Sequence, residues 1–199
     1  MIRAVMFDIG GVILKDDFLS FFAGFEDETG KTKEELYSLF FGRALQRYER
    51  GEIGAEEYWR VCRECGISPK LLKEIKNGWT CVLKPMEGSM DIVMKLRGRY
   101  RLGAVTNVID QMAEFIRRRF DVYRLFDVVI LSYEVGMRKP EPGIYRLALE
   151  RLGVRPEESV FIDNTEENVE GARRLGIRGI VFKNPEELRL GLKRLGVEI

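Results

Sequence analysis

At 199 residues the chain can build one sizeable hydrophobic core, or a core with a small accessory domain. Its 33 Lys and Arg almost cancel its 32 Asp and Glu, so no global field draws it to nucleic acid or to an anionic membrane surface. It has no histidine, which excludes Ser-His-Asp triads, imidazole acid–base chemistry and every His-metal site. Carboxylates, lysine, cysteine, tyrosine and hydroxyls remain as the reactive groups. No apolar stretch approaches the roughly 20 residues of a membrane span, and a strand begins almost at once with no secretory pattern before it; a cytoplasmic protein is expected. Only two glutamines, Gln46 and Gln111, stand beside many Glu, Lys and Arg, which points to a hot source.

The first predicted element is the apolar strand Ala4-Val5-Met6-Phe7, which delivers Asp8 into the turn Ile9-Gly10-Gly11. From Lys15 to Lys84 no strand pattern follows. This segment reads as helices broken near Glu28–Thr32, Gly51–Gly54 and Gly66–Pro69, and its aromatic residues recur at helical spacing. Phe18, Phe21, Phe22, Phe25, Leu39, Phe40 and Phe41 are expected to form the core of a small bundle, or in part to wall a pocket. The pair Cys62 and Cys65 lies inside a helical pattern, and with Cys81 it is one ligand short of a zinc site; buried thiols or a disulfide are the two readings.

From about Met86 helices and strands alternate. A helix is predicted over Glu87–Arg99, then a strand running into Thr106-Asn107 and a helix near Ile109–Phe120, whose Arg117-Arg118-Arg119 reads as a solvated face. A strand to Leu131 leads through a loop to Arg138-Lys139-Pro140, and a helix then runs to about Leu152. Ser159–Ile162 is a strand that delivers Asp163-Asn164; a helix over Glu166–Leu175 and a strand over Gly179–Phe182 follow. The last helix opens at Asn184-Pro185-Glu186-Glu187, with Asn as cap and Pro at the first position. This alternation predicts an α/β protein with a doubly wound parallel sheet. Residues 1–14 and 85–199 form the Rossmann-like core, and residues 15–84 a helical cap inserted after the first strand. Since ligands bind beyond the carboxyl ends of such strands, the cap should lie over the site.

Four strand ends carry polar groups in order: Asp8, then Thr106 and Asn107, then Lys139, then Asp163 and Asn164. A phosphoryl-transfer site needs a nucleophile, a cation and aimed donors. Asp8 can attack phosphorus, and the backbone amides of Ile9 and Gly10 sit in a turn suited to phosphate oxygens. Thr106 and Asn107 add a hydroxyl and an amide, Lys139 adds a positive charge, and Mg²⁺ on carboxylate and backbone oxygen suits the rest.

These segments resemble the haloacid dehalogenase superfamily over nearly the whole length. F-D-I-G-G-V at Phe7–Val12, V-T-N at Val105–Asn107, G-M-R-K-P at Gly136–Pro140 and F-I-D-N-T-E-E-N at Phe161–Asn168 correspond to its four motifs. Y-E-R-G-E-I at Tyr48–Ile53 and L-S-Y-E-V at Leu131–Val135 are similar to the bacterial α-glucose-1-phosphate phosphatase subgroup, with the N-terminal phosphatase domain of soluble epoxide hydrolases a more distant likeness. The resemblance implies Asp8 as nucleophile, Lys139 as stabilising lysine, and Thr106 and Asn107 on the phosphate. It implies Mg²⁺ on Asp8 and the Gly10 carbonyl, and a small phosphorylated metabolite, such as a sugar 1-phosphate, as substrate.

Two departures from the family pattern stand out. Where most such phosphatases carry a second Asp as general acid, this chain has Gly10, which has no proton to give. The second motif-four carboxylate is Asn164, which adds no charge to a metal site; either it or Asp163 serves the metal, or Asn164 caps the next helix with Glu167. In the cap, Arg43 and Arg47 lie one helical turn apart, beside Tyr48 and Glu49, as substrate contacts or as surface charge. Against the phosphatase stand a phosphate-binding module without turnover, favoured by Gly10 and Asn164 together, and a 2-haloacid dehalogenase, disfavoured by Gly10, Val12 and Asn168.

Overall fold

Five short apolar segments pair side by side in parallel, and two further dipeptides close a small hairpin. In chain order the strands are β1 (Ala4–Phe7), β2 (Leu14–Lys15), β3 (Lys84–Pro85), β4 (Arg101–Thr106), β5 (Val128–Leu131), β6 (Ser159–Asp163) and β7 (Arg178–Val181) in a computed structural model that describes residues 1–199. The main sheet runs β5-β4-β1-β6-β7, all parallel, with β1 in the centre. Every residue of β1 and β6 is buried, as strands covered on both faces must be. The order turns at β1, with β4 on one side and β6 on the other. That crevice is the switch point where open α/β sheets bind ligands.

The helices before β3 are α1 (Phe18–Ala23), α2 (Glu26–Thr29), α3 (Lys33–Phe40), α4 (Arg43–Glu49), α5 (Ala55–Glu64) and α6 (Pro69–Gly78). After it come α7 (Glu87–Leu96), α8 (Asp110–Arg119), α9 (Ser132–Val135), α10 (Pro142–Leu152), α11 (Glu166–Arg173) and α12 (Pro185–Arg194). Local chemistry sets several starts. Thr32 and Glu35 form a reciprocal capping box on α3, while Ser68 caps α6 and Asn184 caps α12, each followed by Pro. One apolar cluster packs α10 and α11 on one face of the sheet. The other face packs α7, α8 and α12 in a cluster continuous with the helices of residues 18–78. No helix is long and apolar enough to cross a membrane.

Three features depart from the sequence expectations. Leu14–Lys15 pairs antiparallel with Lys84–Pro85 where the chain leaves and rejoins the sheet, two strands too short to show a pattern of their own. The aromatic helices are more fragmented than expected, with extra breaks between α1 and α2 and between α3 and α4. The loop after β5 begins with the short helix α9. The aromatic bundle core does form: Phe22 stacks on Phe40 at 5.1 Å and Phe41 on Trp79 at 5.6 Å. All three cysteines are free, and burial pushes the Cys62 thiol up to about 12. Arg117 and Arg118 pair with Glu114 on the open face of α8.

Candidate active site

Asp8 leaves the end of the central strand with its N–H donated to the Ile162 carbonyl at 2.8 Å, so the main chain is fixed up to that residue. Its Oδ1 accepts the N–H of Ile9 at 2.7 Å, and its Oδ2 lies 2.8 Å from the Lys139 ammonium. That ammonium also lies 2.6 Å from Asp163 Oδ2 and is wholly buried. Lys139 is held there by its backbone: its N–H donates to Asn107 Oδ1 at 2.8 Å, and its carbonyl accepts Asn107 Nδ2 at 3.0 Å. Asp163 is held as firmly, accepting Thr165 N–H on Oδ1 at 2.8 Å and Asn168 Nδ2 on Oδ2 at 3.1 Å. The ends of β1, β4 and β6 and the segment after β5 thus converge on one cluster.

The charges decide how this cluster behaves. Two carboxylates and one ammonium leave a buried net charge of −1 when all are ionised. Burial pushes the Asp8 carboxyl up to about 7, with Lys139 pulling it down and Asp163 adding to the rise. Burial opposes the charge on Lys139 as well, but Asp163 and Asp8 outweigh it and hold the ammonium above its ordinary range. Asp8 is the member of the trio that reaches open space, at the floor of a polar cleft shared with Gly10, Asp16, Asn107, Arg138 and Asn164.

The donor set fits a hard cation. The Gly10 carbonyl accepts no hydrogen bond from the chain, which leaves an oxygen free beside an uncompensated charge. The Asn164 amide, also without a partner, lies so close over Gly11 that a Cβ there would sit 2.3 Å from its nitrogen. No three acidic or cysteine side chains gather in a metal-holding group; around the cleft a charged oxygen donor at hand is Asp8, with the Gly10 carbonyl and the Asn164 amide as neutral ones.

Several expected roles change. Asp163 has both oxygens engaged, with Lys139 and Asn168 on one and Thr165 N–H on the other, so it positions the lysine. The capping box expected of Asn164 and Glu167 does not form: α11 begins one residue later, behind Thr165, because Asp163 has taken the Thr165 N–H. The Ile9 N–H is spent on Asp8, so of the two amides in the turn only that of Gly10 is free. Asn107 is occupied first with holding Lys139. Thr106 is buried at the end of β4 with its hydroxyl making no bond within the chain.

In the cap, Arg43 and Arg47 are exposed on the outer face of α4, and Arg47 pairs with Glu52 and Glu57, away from the cleft. They are surface charges. Tyr48 is buried and donates its hydroxyl to Asp110, tying α4 to the start of α8. Glu49 lies beside the cleft, accepting a hydrogen bond at 2.9 Å from Arg138, which lines it; burial raises its carboxyl, against the pull of Arg138. Arg50 pairs with Glu141, and Gly51, at φ 67°, comes so close to the Tyr133 carbonyl that a Cβ would lie 2.7 Å from it. The Tyr48–Ile53 stretch therefore docks the insertion onto the segment that carries Lys139. The sequence reading missed two groups. Asn168 completes the Asp163 cage. Asp16 is half-buried over Gly10 with no hydrogen-bond partner, its carboxyl raised by burial and by Asp17.

Comparisons with known proteins agree with this geometry. The glyceraldehyde 3-phosphate phosphatase of Methanopyrus kandleri is 31% identical over 200 residues, spanning 89% of this chain and 82% of its own length. The phosphorylated carbohydrates phosphatase of Thermotoga maritima is 28% identical over 89% of this chain and 83% of its own. Drimenol cyclase drtB of Aspergillus calidoustus is 25% identical over 98% of this chain, which spans only 37% of that longer protein. Among solved structures, a HAD family enzyme of Bacteroides thetaiotaomicron, in complex with magnesium and inorganic phosphate, superposes with a TM-score of 0.76 at 28% identity, over 92% of this chain and 96% of that one. The family model for haloacid dehalogenase-like hydrolases matches residues 2–176, which takes in the buried Asp8–Lys139–Asp163 cluster, the insertion and most of the sheet, and the chain belongs to that family.

Proposed function

We propose that the chain is a Mg²⁺-dependent phosphomonoester hydrolase acting through an aspartyl-phosphate on Asp8. The observation that carries this reading is the wholly buried Lys139 ammonium held between Asp8 and Asp163 at the sheet's switch point. A buried ion trio is poor evidence of a stabilising device, since apolar residues of similar volume usually serve stability as well. It is well suited to draw one carboxylate toward its ionised form against burial and to aim it at a phosphate. Relatives that are named phosphatases of phosphorylated carbohydrates and of glyceraldehyde 3-phosphate support the same reaction class.

In the proposed reaction Asp8 attacks phosphorus and the bond to the leaving oxygen breaks. Lys139 pulls Asp8 toward its anionic form and faces the phosphoryl oxygens. The Gly10 N–H and the Thr106 hydroxyl donate to them, and Asn107 keeps Lys139 in place. Asp8, the Gly10 carbonyl and Asn164 would hold Mg²⁺, which when bound would neutralise charge on the phosphate. Water then attacks the aspartyl-phosphate and frees Asp8. Gly10 gives no proton, so the leaving oxygen must depart as a tolerable anion: an anomeric sugar oxygen, a phenol or a carboxylate. General acid help is worth about 10²–10⁴-fold, and simple alkyl phosphates forgo it.

Phosphate release from aryl, acyl, sugar-1- and alkyl phosphates, in Mg²⁺ and in EDTA, tests the reading. Mg²⁺-dependent turnover that favours good leaving groups is expected. No turnover of any ester by protein that still binds phosphate would replace it with the binding-module reading.

A gain-of-function variant follows from the same site. Gly10 has no left-handed backbone, and a Cβ there would meet Asp16 Oδ2 at an ordinary 3.5 Å. Gly10→Asp should therefore fold, and its neighbour Asp16 should keep the new carboxyl protonated. We expect kcat/KM on ethyl phosphate to rise about 100-fold, with a much smaller change on phenyl phosphate.

A further inference from the structure

We propose that the substrate is an aryl phosphate monoester, its ring seated in the apolar cavity beside Asp8. This rests on the phosphatase reading and goes beyond it by naming the leaving group's class.

A cavity of about 120 Å³, partly open to solvent, lies against the end of β4. It shares Gly10, Asp16 and Asn107 with the polar cleft, so a phosphate in the cleft would send its ester group there. Its walls are Phe18, Phe41, Leu45, Trp79, Ile109 and Met112. The rings of Phe41 and Trp79 lie parallel at 5.6 Å, with Phe18 against Phe41 at 4.8 Å, so part of the wall is aromatic. Flat rings pack well on such surfaces.

Hydrogen-bond capacity argues against a sugar in this space. Of the polar side chains that line it, Glu49 is committed to Arg138 and Asn107 to Lys139. Thr106 is needed by the phosphate, which leaves the Asp16 carboxylate and the buried Trp79 Nε1–H as the side-chain groups on the wall without a partner. The several hydroxyls of a sugar brought there would lose water for at most those two side-chain partners. The absent acid at Gly10 is compatible with this choice, because a phenol oxygen is among the leaving groups that depart as a stable anion, and the apolar wall is what favours it over an anomeric sugar oxygen. In the first step the bond from Asp8 oxygen to phosphorus forms and the bond from phosphorus to aryl oxygen breaks, its electron pair leaving on the phenolate. Water then displaces Asp8 from phosphorus, the phenolate takes up the proton that water releases, and the net products are phenol and inorganic phosphate.

The test compares phenyl phosphate with 2-naphthyl phosphate, whose leaving groups have similar acidity, alongside glucose 1-phosphate and acetyl phosphate in Mg²⁺. Naphthyl over phenyl should gain about tenfold in kcat/KM, mostly through KM, and both should exceed glucose 1-phosphate. Met112→Gln and Leu45→Asn, each checked by thermal melting, should lower the ratio of naphthyl to acetyl phosphate turnover about tenfold. Equal turnover of phenyl and naphthyl esters, or preference for glucose 1-phosphate, overturns the proposal. Failure on every ester including acetyl phosphate instead removes the phosphatase reading. In that case calorimetry with naphthylmethylphosphonate and methylphosphonate still decides the cavity: at least tenfold tighter binding of the first upholds it, and equal affinity overturns it.

Discussion

Replacing Lys139 with methionine is expected to abolish phosphate release and to cost about 3–5 kcal/mol of stability, the usual penalty for stripping a buried charge cluster of one partner. The side chain is wholly buried, so methionine fills much of its volume, and lost packing is a small part of the effect. What remains is Asp8 and Asp163, pressed together without their cation. Asp8 already has its carboxyl raised by burial and lowered by Lys139; without Lys139 it rises further. A folded-state pKa above the unfolded value means that the folded protein holds the proton more tightly. Stability is then full at low pH and falls as pH climbs through the window between the two values. The loss in Lys139→Met should therefore be larger at pH 8 than at pH 5 in urea unfolding carried out in EDTA. A loss that is the same at both pH values would mean that packing, not charge, is the cause.

How far the site could be read beforehand depended on whether each residue's role was local. Asp8, Thr106 and Asn107 each end or directly follow an apolar run, and a strand's direction carries such residues to one edge of the sheet, so their convergence was legible from spacing, whereas Lys139 comes back to that edge only beyond β5 and the short helix α9. Roles set by competition for a hydrogen bond were not. Asn164 had a sound capping pattern, but Asp163 took the Thr165 N–H and the helix began behind it. Ile9 was a reasonable phosphate donor until Asp8 turned back onto its N–H.

The insertion was harder for a different reason. One-turn spacing says that Arg43 and Arg47 share a helix face, but not which face is turned inward. Leu45, Tyr48 and Glu49 turned inward, so the arginines face solvent and Glu49 meets Arg138. The aromatic run was read chiefly as bundle core, and Phe22 and Phe40 belong there. Phe18 and Phe41 also wall the cavity, the role such rings take where a cap leaves a gap above the sheet. Asp16 follows exposed Lys15 and belongs to no motif in the sequence; only the two-residue hairpin with Lys84 brings it back over Gly10.

Asp8→Asn is expected to lower turnover about 1,000-fold or more, since the amide has no anionic oxygen to attack phosphorus. Its effect on stability should carry a different signature from that of Lys139→Met. The Ile9 N–H keeps an acceptor, Lys139 keeps Asp163, and the net buried charge falls from −1 to zero. With its carboxyl pushed up to about 7 from an ordinary 3.8, Asp8 makes the wild type lose stability as pH rises between those values. Asparagine has no proton to lose, so the variant's urea midpoint should change less between pH 4 and pH 7 in EDTA, and by pH 8 the variant should equal or exceed the wild type. Mg²⁺ should raise the melting temperature of the wild type more than that of the variant, because the cation relieves a charge that the variant lacks. Parallel pH profiles, or an equal Mg²⁺ effect in both proteins, would remove Asp8 from the charge cluster and from the cation together. An inactive, folded variant with a flattened profile would tie nucleophile, lysine and cation to one electrostatic cause.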